Sequence, residues 1–111
     1  MDQERRYEQL ILQILNAHRA KAPRDSTAED VVLADSDAKH YQLLTVGWER
    51  NSNAFGCVIH TSIQNDKIWI HYDGTEYGVA NELLDLGVPK DEIVLAFQPP
   101  TTRTSSGFAQ G

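Results

Sequence analysis

Apolar residues near the start of the chain recur with the spacing of an α-helix. Within ERRYEQLILQILNAHRAK they follow the intervals i, i+3, i+4, i+7, i+8 and i+11, which places them on one face of an amphipathic helix. The residues of this stripe are Tyr7, Leu10, Ile11, Ile14, Leu15 and His18. Pro23 and the polar cluster RDSTAED that follows it indicate the end of the helix.

The middle of the chain has the shorter, alternating pattern of β-strands. Four segments have this character, namely DVVLAD, HYQLLTVGWE, AFGCVIHTSIQ and KIWIHYD, and the short turns SDAK, RNSN and ND separate them. Strands joined by such short turns pair with their neighbours in antiparallel fashion. The pattern therefore predicts an antiparallel four-stranded meander.

A second helix and a short strand follow the meander. The apolar stripe of this helix is Val79, Ala80, Leu83, Leu84 and Leu86, and Gly87 is suited to end it. IVLAF then predicts a last strand, of either direction. The predicted fold class is α+β: an antiparallel four-stranded meander plus a short C-terminal strand, with two main helices packed on one face.

The last hairpin of the meander has a register that the turn fixes. If Asn65-Asp66 is a two-residue turn, Gln64 pairs with Lys67, and the ladder continues to place His60 opposite His71. Side chains alternate between the two faces of a sheet. One face is apolar and is expected to face the helices, with Cys57, Ile59, Thr61, Ile63, Ile68, Ile70 and Tyr72.

The second strand extends this register and predicts an apolar patch on the other, outer face. If the RNSN loop pairs Trp48 with Phe55, Leu44 lies opposite Ile59, and Tyr41 and Leu43 point outward. The expected core is Trp48, Phe55, Ile59, Ile63, Ile68 and Ile70. The expected patch is Tyr41, Leu43, Val58 and Trp69, rimmed by His60, His71, Gln64 and Lys67. Such a patch indicates that the tail, a second copy or another protein covers it.

Composition narrows the functional classes. A chain of 111 residues is expected to form a single domain, with an irregular tail from about residue 98. Ten Lys and Arg against sixteen Asp and Glu give a net charge of −6, which disfavours direct binding to phosphate backbones. One cysteine allows neither an internal disulfide nor a cysteine-based zinc site. The N-terminal segment lacks a signal-peptide core, and no apolar run is of membrane-spanning length, so we expect a cytoplasmic protein without membrane contact.

A candidate metal site lies on the last hairpin. His60, His71 and Asp73 resemble a two-histidine, one-carboxylate ligand set, which would suit a small metal-dependent hydrolase or a nuclease-like enzyme. However, Asp73 and Glu76 have the spacing of a capping box before the second helix, so we expect Asp73 to serve that helix. His18 is expected to be packed or partly exposed, and His40 to be solvated. We therefore predict no metal, no cofactor and no catalytic residues.

Long segments of the chain resemble the XisI family, the controlling factor for excision of the fdxN element in cyanobacteria. These segments are YEQLILQIL, HYQLLTVGWE, GCVIHTSI, KIWIHYDGTEYGVANELLDLGVPKDEIVLAFQPP and RTSSGFA, in this order. The resemblance implies a regulatory role in a programmed DNA rearrangement whose strand chemistry a separate recombinase performs. It also implies a second small protein, XisH, as a partner, and it carries over no catalytic residues. Family members often have Gln in place of His71 and His in place of Gln98, so the resemblance does not imply a His60–His71 metal pair.

Together, the residue patterns and the resemblance predict a non-enzymatic accessory protein that acts through protein contacts and reaches DNA only indirectly. We expect a homodimer or a complex with an XisH-type partner, with Trp69 as an aromatic anchor. The candidate interface residues are Tyr41, Leu43, Val58, His60, Trp69, His71 and Phe108. If the tail covers the patch, the acidic surface of the second helix around Glu76, Glu82 and Asp85 is the next candidate.

Overall fold

The structure, a computed structural model, describes residues 2–20 and 27–111. The helices are α1 (Asp2–Ala20), α2 (Val79–Asp85) and α3 (Pro100–Arg103), and one 3-10 turn covers Lys90–Glu92. The strands are β1 (Glu29–Asp35), β2 (His40–Val46), β3 (Trp48–Glu49), β4 (Ser52–Asn53), β5 (Gly56–Gln64), β6 (Lys67–Asp73) and β7 (Ile93–Leu95). The predicted helix end at Pro23 lies outside the described residues.

The main sheet has five strands in the order β1-β2-β5-β6-β7. Strands β1, β2, β5 and β6 pair antiparallel in sequence, which confirms the four-stranded meander. Strand β7 lies parallel to β6, because the chain crosses over through α2 before it returns to the sheet. The α+β fold class predicted from the sequence is therefore confirmed, and the direction of the last strand, which the sequence left open, is parallel.

The core lies between one face of the sheet and the helices α1 and α2. The stripe of α1 supplies four buried side chains, and α2 supplies two. The buried apolar residues are Tyr7, Ile11, Ile14, Leu15, Tyr41, Leu43, Ile59, Ile63, Ile68, Ile70, Val79, Leu83, Val88, Ile93 and Val94. His18 of α1 and Glu82 of α2 join the two helices through a contact of 2.7 Å between Nε2 and Oε2, beside this core.

Two local predictions about turns are confirmed. Asn65 and Asp66 both have positive φ, of 53° and 59°, as a two-residue type I′ hairpin requires. Gly87 has φ of 94° at the end of α2, and the N–H of Val88 donates to the carbonyl of Leu83 at 3.0 Å. A left-handed residue of this kind favours glycine at a helix end.

A β-bulge at Val58 changes the face of every residue in β2 that lies beyond it. Leu44 pairs with Cys57, but the next pair is Leu43 with Ile59, so Val58 has no partner of its own. This one-residue shift turns the β2 side chains that were expected on the outer face toward the core, and those expected in the core toward the outer face. Tyr41 and Leu43 are 1% and 0% exposed, so the prediction that they lie on the outer face is wrong.

A second bulge lies on the other side of β5. The ladder with β6 follows the predicted register from Gln64–Lys67 to Thr61–Ile70, but His60 then pairs with Tyr72. His71 is the additional residue. Tyr72, which was expected on the core face, is therefore 50% exposed.

The predicted core also fails at the end of the second hairpin. The strands continue as the small pair β3–β4 around a two-residue turn, Arg50-Asn51, rather than a four-residue loop. Trp48 and Phe55 are 54% and 71% exposed, so their predicted burial is wrong. The other four residues of the predicted core, Ile59, Ile63, Ile68 and Ile70, are buried as expected.

Candidate functional site

Three histidines from adjacent strands meet on the outer face of the sheet. His40 begins β2, His60 lies in β5, and His71 is the bulged residue of β6. The ring centroids are 4.8 Å apart for His60 and His71, 5.2 Å for His40 and His60, and 5.7 Å for His40 and His71. The predicted adjacency of His60 and His71 is thus confirmed. His40, which was expected to be solvated, is partly buried in what we call the histidine cluster.

Hydrogen bonds hold the rings of the histidine cluster in place. Nδ1 of His40 lies 2.9 Å from Nε2 of His60. Nε2 of His71 lies 2.7 Å from Oγ of Ser62, a hydroxyl that is fully buried. Gln64 donates to the same hydroxyl at 3.1 Å, so the Ser62 hydroxyl proton is free to be donated to His71. That arrangement keeps a lone pair, rather than a proton, on Nε2 of His71.

The surroundings of His60 and His71 favour the neutral form of their imidazoles. Burial lowers the pKa of His60, and the neighbouring His40 lowers it further. Burial also lowers the pKa of His71, followed by the charges of His60, His40 and Arg103. Both effects act against the charged form, since a cation loses solvation on burial and is repelled by like charges. At neutral pH His60 and His71 therefore offer unprotonated ring nitrogens.

Asp73 accepts hydrogen bonds at the start of helix α2 and does not join the histidine cluster. One carboxylate oxygen accepts a hydrogen bond from the N–H of Val79 at 2.7 Å. The other accepts from the N–H and the hydroxyl of Thr75, at 2.9 and 2.6 Å. The expectation that Asp73 is occupied by the helix start is confirmed, although α2 begins only at Val79 and Glu76 is exposed. The proposed set of His60, His71 and Asp73 is not assembled.

The C-terminal segment covers the part of the outer face around Trp69. Ala109 pairs with Val94 of β7 in a parallel bridge, and the guanidinium of Arg103 lies 5.7 Å from the centroid of the Trp69 ring. Gly111 is so close to this ring that a Cβ there would come within 3.3 Å of it. Phe108 is partly buried against the core. The segment predicted to be an irregular tail therefore contains α3 and packs on the sheet.

The remaining interface candidates differ in their accessibility. Trp69 is partly exposed and lies on the outer face, as predicted. Val58 is partly buried and packs against the core. Tyr41 and Leu43 offer no surface to a partner in this conformation.

Sequence reasoning missed the exposed aromatic side chains Trp48 and Phe55, which flank the hydrogen bond of 2.8 Å from Ala54 N–H to the Gly47 carbonyl.

Comparison with known proteins identifies the family. The family described as XisI protein matches residues 1–110. The chain belongs to the XisI family. A crystal structure of an XisI-like protein from Anabaena variabilis superimposes with a TM-score of 0.90 at 31% identity, over 96% of this chain and 97% of the other. Comparison with curated proteins finds no match.

A second XisI structure extends the comparison. A crystal structure of the fdxN element excision controlling factor XisI, also from Anabaena variabilis, has a TM-score of 0.82 and 27% identity to this chain. It covers 98% of this chain and 99% of its own. The fold described above is therefore the XisI fold from end to end. Among the described residues of this XisI member, no helix is long and apolar enough to cross a membrane.

Proposed function

We propose that this XisI-family chain is a regulatory protein that controls excision of a DNA element, and that it acts through protein contacts without catalysing a reaction. The observation that carries the proposal is the end-to-end similarity to an XisI described as an fdxN element excision controlling factor. The recombinase in such a system performs the strand chemistry, so its controlling factor requires binding surfaces rather than catalytic groups.

The charge of the chain supports an indirect route to DNA. Its net charge is −6, and an acidic protein is repelled by the phosphate backbone unless a partner supplies the basic surface. The carboxylate that a hydrolase with His60, His71 and Asp73 would need is engaged at the start of α2. Both observations favour an accessory protein over an enzyme of that kind.

We place the contact with an XisH-type partner at Trp48 and Phe55. These are among the most exposed large apolar side chains of the described residues, and large aromatic side chains commonly anchor protein interfaces. The outer face around Trp69, or the tail around Phe108, which the sequence suggested for a homodimer or a partner complex, is the second candidate. Part of that surface is already occupied by the chain's own C-terminal segment.

Co-purification with an XisH-type protein tests the proposal. We expect a tagged wild-type chain to retain that protein, and Phe55→Ser to reduce the retained amount at least about tenfold. Leu33→Ser is the matched control, because Leu33 is also exposed and apolar but lies on the edge strand β1. Trp69→Glu, compared by sedimentation with wild type, tests the alternative surface.

The co-purification results distinguish whether the chain binds an XisH-type protein at all from where on its surface that protein binds. Circular dichroism should show the same secondary structure in Phe55→Ser and wild type, because Phe55 makes little contact with the core. A wild-type chain that retains no XisH-type protein contradicts the proposed partner. Loss of binding in Leu33→Ser or Trp69→Glu, with Phe55→Ser unaffected, moves the contact away from Trp48 and Phe55.

A further inference from the structure

We propose that the histidine cluster, His40, His60 and His71, binds one divalent transition-metal ion, and that Zn²⁺ suits it best. One ring nitrogen from each histidine can be chosen so that all three lie within 4.8 Å of one another. Tetrahedral coordination with Zn–N bonds of about 2.0–2.1 Å places ligand nitrogens about 3.3 Å apart. Small side-chain rotations bring the three nitrogens to that separation, since His40 and His60 are already in contact.

The backbone holds the three histidines on a rigid support. They come from β2, β5 and β6, which are neighbours in the main sheet. The bulge at His71 places this ring beside His60 even though Tyr72 takes the paired position. Bulges commonly redirect a side chain at a functional site. The ligands would therefore be positioned by paired strands rather than by loops.

The hydrogen bonds of the cluster are of the kind that a metal ion can replace. The contact between His40 and His60 requires one nitrogen to donate and the other to accept. A metal ion would bind one lone pair on each ring, and the proton now between the rings would move to the other nitrogen of the donating ring, so that both imidazoles stay neutral. The Ser62 hydroxyl, which lies 2.7 Å from His71 Nε2, would then be free to bond a water on the metal.

The ligand type sets the class of metal. Three imidazole ligands suit zinc, copper and nickel, whereas calcium and magnesium prefer oxygen ligands. The guanidinium of Arg103 lies near His71 and opposes a cation. That guanidinium donates to the carbonyls of Gln98 and Ala96, at 2.9 and 3.2 Å, which partly offsets its charge.

Three protein ligands leave one tetrahedral position open. The three side chains are only partly buried, so a metal ion can enter from solvent. An open groove of about 380 Å³ borders His40, with Leu33, Ala34, Asp35, Ala38 and Gln42 as its other lining residues. A water or an exchangeable donor from this groove would complete the coordination, as in zinc sites that have three protein ligands.

Calorimetric titration of ZnCl₂ into the purified chain tests this proposal. The protein should carry a tag without histidines and should be freed of metal by chelation and dialysis. We expect one Zn²⁺ per chain, and we expect His60→Gln and His71→Gln to weaken the affinity at least about tenfold each, because each removes one of three ligands. His18→Gln is the control, since His18 contacts Glu82 between the two helices instead.

Cobalt provides a readout that needs no variant. Co²⁺ added to the wild-type chain should give the intense visible absorption of a tetrahedral site, and one equivalent of Zn²⁺ should remove it. Absence of Zn²⁺ binding to the wild type overturns the proposal. It is also overturned if folded His60→Gln and His71→Gln bind like wild type, or if His18→Gln loses binding equally. Neither result bears on the XisH-type contact, which involves other residues.

Discussion

Replacing Leu43 with Ala is expected to lower the free energy of unfolding by about 2–5 kcal/mol. Leu43 is fully buried on β2 and belongs to the cluster that joins the sheet to α1 and α2. Truncation removes buried methyl groups and leaves a cavity that neighbouring side chains fill only in part. A loss of this size is a large share of the stability of a small domain. Unfolding in urea, with the slope compared between variants, measures it.

Leu44→Ala is the matched control for the bulge at Val58. Leu44 is the next residue of the same strand and is only partly buried, so its truncation should cost clearly less than that of Leu43. An uninterrupted ladder would reverse this order, because Leu44 would then share the core face with Ile59. A larger loss for Leu44→Ala than for Leu43→Ala would therefore contradict the register of β2.

Replacing Asp73 with Ala is expected to lower the free energy of unfolding by about 1–3 kcal/mol. The partly buried carboxylate accepts hydrogen bonds from both Thr75 and Val79. Its removal leaves these donors without a charged acceptor and loosens the link between β6 and α2. Thermal unfolding followed by circular dichroism measures the effect.

Glu76→Ala is the control for Asp73→Ala, since in a capping box both carboxylates would stabilise the start of α2. Glu76 is exposed and the helix starts later, at Val79, so its replacement should change stability by less than about 0.5 kcal/mol. Equal losses for the two variants would restore the capping-box interpretation. Asp73→Ala should also retain Zn²⁺ binding if the histidine cluster alone holds the metal.

Local patterns were sufficient for the two main helices, for the five strands of the main sheet and for the turn of the last hairpin. The spacing of Tyr7, Ile11 and Ile14 predicts a helix because their side chains must share one face. Asn65-Asp66 predicts its turn because both residues tolerate positive φ. These signals act within a few residues, and the structure confirms them.

The two bulges could not be predicted in this way. Val58 and His71 are not glycines, and no short-range pattern around either residue indicates an extra position in the ladder. Their positions depend on how β5 packs against both neighbours at once. The bulge at Val58 reversed the predicted faces of β2, which moved Tyr41 and Leu43 inward and His40 outward.

The bulge at Val58 also explains why His40 was not predicted as part of the histidine cluster. His60 and His71 were predicted to be neighbours because the Asn65-Asp66 turn fixes the register of β5 and β6 near the turn, and their rings are adjacent although the bulge at His71 pairs His60 with Tyr72. His40 was missed because an uninterrupted ladder assigns it to the other face. In the observed register it lies opposite Ser62 and beside His60, and three histidines are then a more complete ligand set than two.

Quantifying excised DNA tests whether this XisI-family chain controls an excision reaction. In a strain that carries the chain together with an excisable element and a recombinase for it, the gene for the chain would be deleted and the new junction counted by quantitative PCR. We expect the excision frequency to change strongly and wild-type protein to restore it. An excision frequency unchanged by the deletion, with the recombinase present and active, would show that the chain does not control excision.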